Sequence, residues 1–321
     1  MKLFALALAA CLCGPQEKGQ WVNISESVTS KVEQKWPFLA AGIAVDPSSG
    51  EVYLVIAGAG LWKSSDHGKT FTQVDQGKVG GRCETGAAIQ IDPMGGGRLA
   101  FFQLDGKAAW TGDGGKTWNP CSDGGRRGFD FVAVDWSDPK ARRMWGVRHE
   151  SGDVGLLSDN GGAAWKEVEK GWKGFGVFDF ETLVAHRGKG IERSTDAGAT
   201  WKTVSDITPT GRIVSVYKGV GYWLTDKGLL ASKDKGATWT PLAGSVSAWF
   251  GPYFKDEKHF VVFGKDGFSE TQDGGGTWTV AAPPPSEKKL TDKWFSNVAW
   301  DPKANIFYIS RMGQPAFKYE R

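Results

Sequence analysis

The stretch that decides the fold is Ser64-Ser65-Asp66-His67-Gly68-Lys69-Thr70-Phe71. Its pattern, Ser/Thr-x-Asp-x-Gly-x-Thr-Trp/Phe, recurs along the chain, and each copy is called a box below. The boxes are centred on Asp66, Asp113, Asn160, Asp196, Asp234 and Asp273, at steps of 47, 47, 36, 38 and 39 residues. Self-similarity at such a period is typical of proteins built from repeated structural units.

The chemistry of the box is that of a tight turn. The Asp carboxylate can accept hydrogen bonds from the backbone N–H groups of its own turn. The Gly supplies a positive φ without steric cost. The Thr begins the next strand, and the aromatic residue is predicted to project between neighbouring sheets. Asn160 can accept the same bond, so we expect the third copy to fold like the others.

Each box lies between the third and fourth strands of a larger unit. In the first unit, short strand-like runs cover 39–45, 51–57, 60–64 and 70–74, with turn residues between them. The same order restarts six times along the chain, at residues 85, 129, 175, 212, 247 and 295. The sequence therefore predicts seven units, each of which forms one small antiparallel sheet.

The seventh unit has three strands and no box. Its missing strand is predicted at the other end of the chain, because Gln20–Ile24 looks like the strands that follow the boxes. Pairing of this segment with the last unit would close a ring and remove the exposed sheet edge. We therefore predict an all-β, seven-bladed β-propeller over residues 21–321.

The boxes centred on Asp66, Asp113, Asp196, Asp234 and Asp273 resemble BNR/Asp-box repeats. Such repeats mark propellers of the sialidase, sortilin-type receptor, xyloglucanase and photosystem II assembly-factor groups. The resemblance covers about residues 21–321 and implies the fold, whereas one fold hosts many functions. It also implies a ligand face opposite the boxes, formed by connections between blades and by turns between second and third strands.

The first ten residues predict a secretory signal. A basic start is followed by the apolar run Leu3–Ala10, which is too short for a membrane span of about 20 residues. Leu8-Ala9-Ala10-Cys11 resembles a bacterial lipobox, which predicts lipidation of Cys11, and cleavage near Cys13 is the alternative. Residues 11–20 then form a short tether. We expect an exported protein that is periplasmic, lipid-anchored or extracellular.

Composition excludes some functions. Among 321 residues there are 39 Lys+Arg and 36 Asp+Glu, a net charge of +3 that argues against a nucleic-acid binder. We expect neither a cofactor nor a metal, and the scattered cysteines do not have the spacing of a zinc site. Outside the exported segment, Cys83 and Cys121 form either one disulfide, as an oxidising compartment allows, or two free buried thiols.

Arginine is concentrated on the predicted ligand face. A planar guanidinium donates two parallel hydrogen bonds to a carboxylate, sulfate or phosphate. With nearby tryptophans, such a surface would suit an acidic glycan or an acidic protein segment. The alternative is that these arginines are solvated or paired with acids such as Glu84, Asp130, Glu150 and Asp226. The candidates are Arg82, Arg126, Arg127, Arg148, Arg187, Arg212, Arg311, Trp36, Trp172 and Trp294.

Two classes of function remain open. The resemblance to sialidases would imply an Arg-Ile-Pro start, but Arg212-Ile213 is followed by Val214, and residues 28–45 contain no Arg. Xyloglucanase-like enzymes use paired Asp residues in a cleft between two propellers. This chain is predicted to form only one propeller. We therefore favour a non-catalytic binding or assembly protein. The alternative is a glycoside hydrolase, sialidase-like or a related exo-glycosidase, that uses carboxylates such as Asp130 with Asp179, or Glu84 with Glu150.

Two further features map to the predicted ligand face. His149 and His186 belong to neighbouring blades, so a site shared by the two imidazoles is one interpretation. The segment Pro283–Trp294 begins with three prolines and should be stiff. It is either an ordinary connection between blades or a lip over the central opening.

Overall fold

The computed structural model describes residues 18–33, 40–122, 128–287 and 289–321. Within them, seven four-stranded antiparallel sheets form a ring, which confirms the predicted seven-bladed propeller. The predicted signal at 1–10, Cys11 with its lipidation, and most of the tether lie outside the described residues. The same holds for Arg126, Arg127 and Trp36.

The first strand, β1 (Trp21–Asn23), belongs to the last blade and is followed by a short helix, α1 (Glu26–Thr29). Blades 1 to 6 are each continuous in sequence. Blade 1 contains β2 (Ala40–Val45), β3 (Val52–Ile56), β4 (Gly60–Ser64) and β5 (Thr72–Gln73). A 3₁₀ turn (Gly86–Ala88) precedes blade 2, with β6 (Ile89–Ile91), β7 (Leu99–Phe101), β8 (Ala109–Thr111) and β9 (Asn119–Pro120). Blade 3 contains β10 (Phe129–Val134), β11 (Met144–Arg148), β12 (Gly155–Ser158) and β13 (Lys166–Glu167).

The second half of the ring repeats this plan. Blade 4 contains β14 (Gly174–Val177), β15 (Leu183–His186), β16 (Ile191–Ser194) and β17 (Lys202–Ser205). Blade 5 contains β18 (Ser215–Tyr217), β19 (Val220–Leu224), β20 (Leu229–Ser232) and β21 (Thr240–Pro241). Blade 6 contains β22 (Phe250–Phe254), β23 (Phe260–Gly264), β24 (Gly267–Thr271) and β25 (Thr279–Ala282). Blade 7 contains β26 (Ser296–Asp301), β27 (Ile306–Arg311), β28 (Phe317–Glu320) and β1.

Blade 7 closes the ring as the sequence predicts. Strand β1 pairs with β28 in the antiparallel register Trp21↔Tyr319 and Asn23↔Phe317. The Trp21 indole also donates a hydrogen bond to the Pro283 carbonyl at 3.0 Å. The edge of the last sheet is therefore covered by a strand from the start of the chain, and the ring does not present it for pairing with other chains.

The boxes form the turns between third and fourth strands, as predicted. In the first, Asp66 Oδ1 accepts a hydrogen bond from the Thr70 backbone N–H at 2.9 Å, and Asp66 Oδ2 accepts one from the Thr70 hydroxyl at 2.6 Å. Asn160 holds its turn in the same way, because Oδ1 accepts from the Ala164 N–H at 2.9 Å. At Gly236, φ is +80° and a Cβ would lie 2.3 Å from Val184 Cγ1, so the box requires glycine there.

The core consists of layers between neighbouring sheets. The box aromatics fill these layers, as predicted: Trp201 of blade 4 packs on Trp145 of blade 3 at 5.1 Å between ring centroids. In blade 7, which has no box, Trp21 takes this place and stacks on Phe268 of blade 6 at 6.5 Å. Each interface is thus sealed by a large aromatic side chain, and burial of apolar area stabilises the ring.

Cys83 and Cys121 are free thiols that lie in different layers. Cys83 is fully buried between blades 1 and 2, where the Gln103 amide donates to its sulfur at 3.0 Å. Burial raises the pKa of the Cys83 thiol to about 12, even though the Gln103 hydrogen bond opposes this shift. The disulfide alternative is therefore wrong, because one blade separates the two layers.

The first strands of neighbouring blades run parallel, as the bridge between Phe175 and Ile213 shows. All boxes consequently lie at one end of the ring, called the box end below. The opposite end, called the upper end, carries the connections between blades and the turns between second and third strands. None of the helices among the described residues has the length and hydropathy needed to cross a lipid bilayer.

Candidate functional site

The candidate site is a cavity of about 660 Å³ at the upper end of the ring. Its walls come from the upper ends of blades 3, 4 and 5 and from the connection between blades 6 and 7. A narrower cavity of about 140 Å³ continues toward the centre of the ring and shares part of this wall. The residues that line both cavities are Thr210, Arg212, Trp249, Lys293 and Trp294.

Arg212 is the central feature of this cavity. Its guanidinium carbon lies 5.4 Å from the centroid of the Phe131 ring and 4.7 Å from that of the Trp294 ring. Burial lowers the pKa of Arg212, although Asp130, Asp153 and Glu84 act in the opposite direction. Arg212 forms no ion pair within the part of the chain that the structure describes. It is therefore a cation held between aromatic rings, with its donors left for a ligand.

The other described candidate arginines are paired with acids. Arg82 lies 3.1 Å from Asp105 and 3.9 Å from Glu84. Arg148 is 2.6 Å from Glu167. Protein carboxylates therefore occupy these guanidinium groups. This agrees with the alternative interpretation of the sequence, in which the arginines pair with acids.

Arg187 and Arg311 complete this set. Arg187 pairs with Glu192 at 2.8 Å and also with Glu169, and the hydrogen bond to Glu192 raises its pKa. Arg311 lies 3.8 Å from Asp292. Apart from Glu84, the acids that pair with these arginines are not those suggested from the sequence. The ion pairs join strands and connections that only the fold brings together.

The two described candidate tryptophans differ in position. Trp172 is buried, with 1% of its surface exposed, and packs edge-on against Trp145 at 4.7 Å. Arg187 lies over its outer face at 4.5 Å. Trp294 is 46% exposed and lies over Arg212. Trp172 therefore supports the cavity wall, and Trp294 is available to contact a ligand.

The connection between blades 6 and 7 forms part of the mouth. Trp294 belongs to this connection, yet the guanidinium that it contacts belongs to the connection between blades 4 and 5. Lys293 lies beside it, with Nζ 5.2 Å from the Trp294 ring. The end of the Pro283–Trp294 segment thus lies over the opening, which agrees with the interpretation of this segment as a lip.

The two histidines do not form a shared site. His186 is 5% exposed and packs edge-on against Trp223 at 5.5 Å. Burial, with the nearby Lys173 charge, lowers the pKa of His186 to about 4, so it is neutral at pH 7. His149 lies instead among Glu84 and Asp130, a cluster that sequence reasoning missed although it had placed each residue on the upper end.

Only one of the two carboxylate pairs of the hydrolase alternative comes together in the structure. Asp130 lines the upper cavity, whereas Asp179 lies in the turn after β14 and pairs with Lys235 of the fifth box at 2.8 Å. The pair Asp130 with Asp179 is therefore wrong, because its members lie at opposite ends of the ring. Glu84 and Glu150 flank the same imidazole, at 3.5 Å from His149 Nδ1 and 3.8 Å from Nε2 respectively.

Comparison with solved structures gives matches at low sequence identity. A chain of the mitotic checkpoint complex matches with a TM-score of 0.55 and 10% identity, over 98% of this chain and 99% of that chain. The structure described as YCF48 bound to D1 peptide matches with a TM-score of 0.48 and 16% identity, over 90% and 99%. A GH74 xyloglucanase from Xanthomonas campestris gives a TM-score of 0.41 and 16% identity, and the match spans 86% of this chain and 57% of that enzyme.

At these identities the likeness concerns the fold alone, and we transfer no residue role from these proteins. No protein-family model matches the chain, and a search of curated proteins gives no match either. Evidence for the function therefore comes from the residues of the upper end.

Proposed function

We propose that this protein is an exported, non-catalytic binding propeller that holds a carboxylate-bearing ligand in its upper cavity. The ligand is an acidic glycan or an acidic protein segment. The observation that carries the proposal is Arg212, a guanidinium stacked against Phe131 and Trp294 and free of ion pairs within the described residues. Export is supported by the signal-like residues 1–10.

The energetics favour an anion at this position. Arg212 loses part of its hydration by burial, which is the cause of its lowered pKa, and the described part of the chain returns no direct ion pair. A ligand carboxylate would restore two charge-assisted hydrogen bonds, and a hydrogen bond to a charged group contributes about 1.5–3 kcal/mol. The stacked rings hold the planar guanidinium in one orientation, so less conformational entropy is lost on binding.

Glycoside hydrolysis has weaker support. Glu84 and Asp130 present oxygen atoms within 4.8 Å of each other, with the His149 imidazole in contact with both. Asp153, a third acid at the cavity, is paired with Lys173 at 2.5 Å. These contacts suit charge balance better than a paired acid and base.

The experiment compares two arginines at opposite ends of the ring. Arg212→Ala removes the unpaired guanidinium, and Arg142→Ala removes an exposed one that pairs with Asp138 at the box end. Polygalacturonate and a polyglutamate peptide serve as the two probes. We expect salt-sensitive binding to one of them, weakened about ten- to hundredfold by Arg212→Ala and unchanged by Arg142→Ala.

Two outcomes would contradict the proposal. One is binding of both probes with equal affinity by the wild type and Arg212→Ala. The other is turnover of a chromogenic glycoside by the wild type that Asp130→Asn abolishes, because that result would establish the hydrolase alternative.

A further inference from the structure

We propose that Glu84, Asp130 and His149 form a binding site for a divalent transition-metal ion of the Zn²⁺ class. This site goes beyond the carboxylate-binding function proposed above and does not depend on it. It lies at the upper end, beside the cavity that Asp130 lines.

Three separate elements bring the ligand atoms together. Glu84 belongs to the connection between blades 1 and 2, Asp130 to β10, and His149 follows β11 directly. His149 Nδ1 lies 2.6 Å from Asp130 Oδ1 and 3.5 Å from Glu84 Oε2. Each of the three residues offers one ligand atom such that these atoms lie within 4.8 Å of one another. The three side chains are 18–26% exposed, so the site is sheltered and remains open to solvent.

The hydrogen bonds of the cluster are out of balance. His149 Nδ1 makes its hydrogen-bond contact with Asp130 Oδ1 at 2.6 Å, whereas Glu84 Oε2 lies at 3.5 Å from it. Glu84 Oε2 is inaccessible to solvent and has no hydrogen-bond partner within the described part of the chain. A buried polar atom without a partner is costly, and more so when it carries charge. A divalent cation at this point would satisfy both carboxylates and the neutral imidazole together.

Neighbouring groups fix the ligands in place. The His149 backbone N–H donates to the Gly128 carbonyl at 3.1 Å, and the Thr85 hydroxyl donates to the Asp130 carbonyl at 2.7 Å. Arg82 approaches the other oxygen of Glu84, Oε1, at 3.9 Å and leaves Oε2 directed at the imidazole. The two hydrogen bonds position the backbone from which the His149 and Asp130 side chains project. The charges of Arg82 and Arg212 oppose a cation, so we expect moderate rather than tight binding.

The donor set selects the class of metal. One imidazole nitrogen with two carboxylates suits Zn²⁺ and similar ions, whereas Ca²⁺ and Mg²⁺ require about six oxygen ligands. Zn²⁺ bonds of about 2.0–2.2 Å place tetrahedral ligand atoms about 3.4 Å apart. The Glu84–His149 distance of 3.5 Å already meets this value, and Asp130 must retreat by less than about 1 Å. A fourth position would face the cavity.

Metal titration tests this site. Isothermal titration of the EDTA-treated protein with Zn²⁺ should show one ion per chain. We expect His149→Gln and Glu84→Gln each to weaken binding at least tenfold, because each removes one of three ligands. The matched control is His67→Gln, which changes a partly exposed histidine beside Asp301 at the box end and should bind as the wild type does.

A second measurement keeps the inference testable if a variant fails to fold. Co²⁺ added to the wild type should give the visible absorption of a low-coordinate site, and Zn²⁺ should abolish it, whereas excess Ca²⁺ should not. Absence of saturable one-to-one binding, equal affinity of His149→Gln, or displacement by Ca²⁺ would each overturn the proposal. The acidic-probe experiment on Arg212 is to be run with EDTA present, so failure of the metal test leaves that experiment unaffected.

Discussion

The box carboxylates at one end of the ring and the arginines at the other end satisfy their charges in different ways. At the box end, Asp66 takes its hydrogen bonds from Ser64, Lys69 and Thr70, all within four residues of it. At the upper end, Arg82 pairs with Asp105, 23 residues away, and Arg212 pairs with no acid among the described residues. Local satisfaction builds a scaffold. Arg212, which has no acidic partner among the described residues, is the group that a ligand can complete.

This comparison predicts that changes at the box end affect stability and that changes at the upper end affect binding. The substitutions below are chosen to break that division.

The largest effect is expected from the aromatic residue of the fifth box. Trp239 is 8% exposed and packs on Trp223 and Phe178 in the layer between blades 4 and 5. Trp239→Ala should lower the free energy of unfolding by about 3–5 kcal/mol, because it leaves a cavity. Urea unfolding followed by tryptophan fluorescence measures this. Trp239→Phe, the residue type of the first box, should lose clearly less, and an equal loss from both would refute the packing argument.

A smaller loss of stability is expected from the box carboxylate. Asp234 accepts hydrogen bonds from the Thr238 N–H and hydroxyl at 2.9 and 2.6 Å. Asp234→Ala should cost about 0.5–2 kcal/mol, by analogy with helix caps. Asp234→Asn is the matched control, because Asn160 holds the third box with the same backbone bond. Thermal unfolding should show that stability decreases from the wild type to Asp234→Asn and then to Asp234→Ala. Weaker binding of the acidic probe by folded Asp234→Ala would contradict the division between the two ends.

Trp294→Ala should affect binding alone. The side chain is 46% exposed and stacks on Arg212, so its removal lets the guanidinium adopt other orientations. Ordering that side chain on binding then costs about 0.5–1 kcal/mol. We expect a two- to fivefold weaker affinity for the acidic probe and an unchanged unfolding midpoint. A drop in the unfolding midpoint without a change in affinity would show that the residue serves the scaffold.

The smallest effect is a dependence on pH. Burial raises the pKa of Asp66, but the stronger combined hydrogen bonds from Thr70, Ser64 and Lys69 lower it to about 2. The folded-state pKa thus lies below the unfolded value of about 3.9, so the stabilisation is complete above pH 4 and is lost as pH falls toward 2. Asp66→Asn should lose less stability than the wild type between pH 5 and pH 3. Parallel curves for the two proteins would show that this carboxylate does not stabilise the turn.

The sequence was sufficient for the scaffold because its interactions are local. The spacing of Ser64, Asp66, Gly68 and Thr70 encodes a complete turn, and repetition of that turn encodes the ring. Closure by Trp21 was predictable because the last unit lacked a strand. No comparable signal distinguished Arg212 from Arg187, since both lie in upper-end connections. Arg187 and Arg212 differ because of where Glu192 and Trp294 lie in space. Strand pairing sets the position of Glu192, and the connection between blades 6 and 7 sets that of Trp294.

The sequence alone did not predict the cluster of Glu84, Asp130 and His149, for the same reason. Its members are separated by 46 and 19 residues and come from different elements. Mapping each residue to the upper end was possible from the repeat, and that assignment could have suggested that they meet. The Asp130–Asp179 pair failed because Asp179 follows the first strand of its blade, so it lies at the box end.

Hydrogen–deuterium exchange with and without the acidic probe tests the division between the ends most directly. Amides of residues 206–214 and 289–295, which surround Arg212 and Trp294, should become protected when the probe binds. Amides of the six box turns should exchange at unchanged rates. Protection confined to the box turns, or none at the upper end while the probe is bound, would contradict the account.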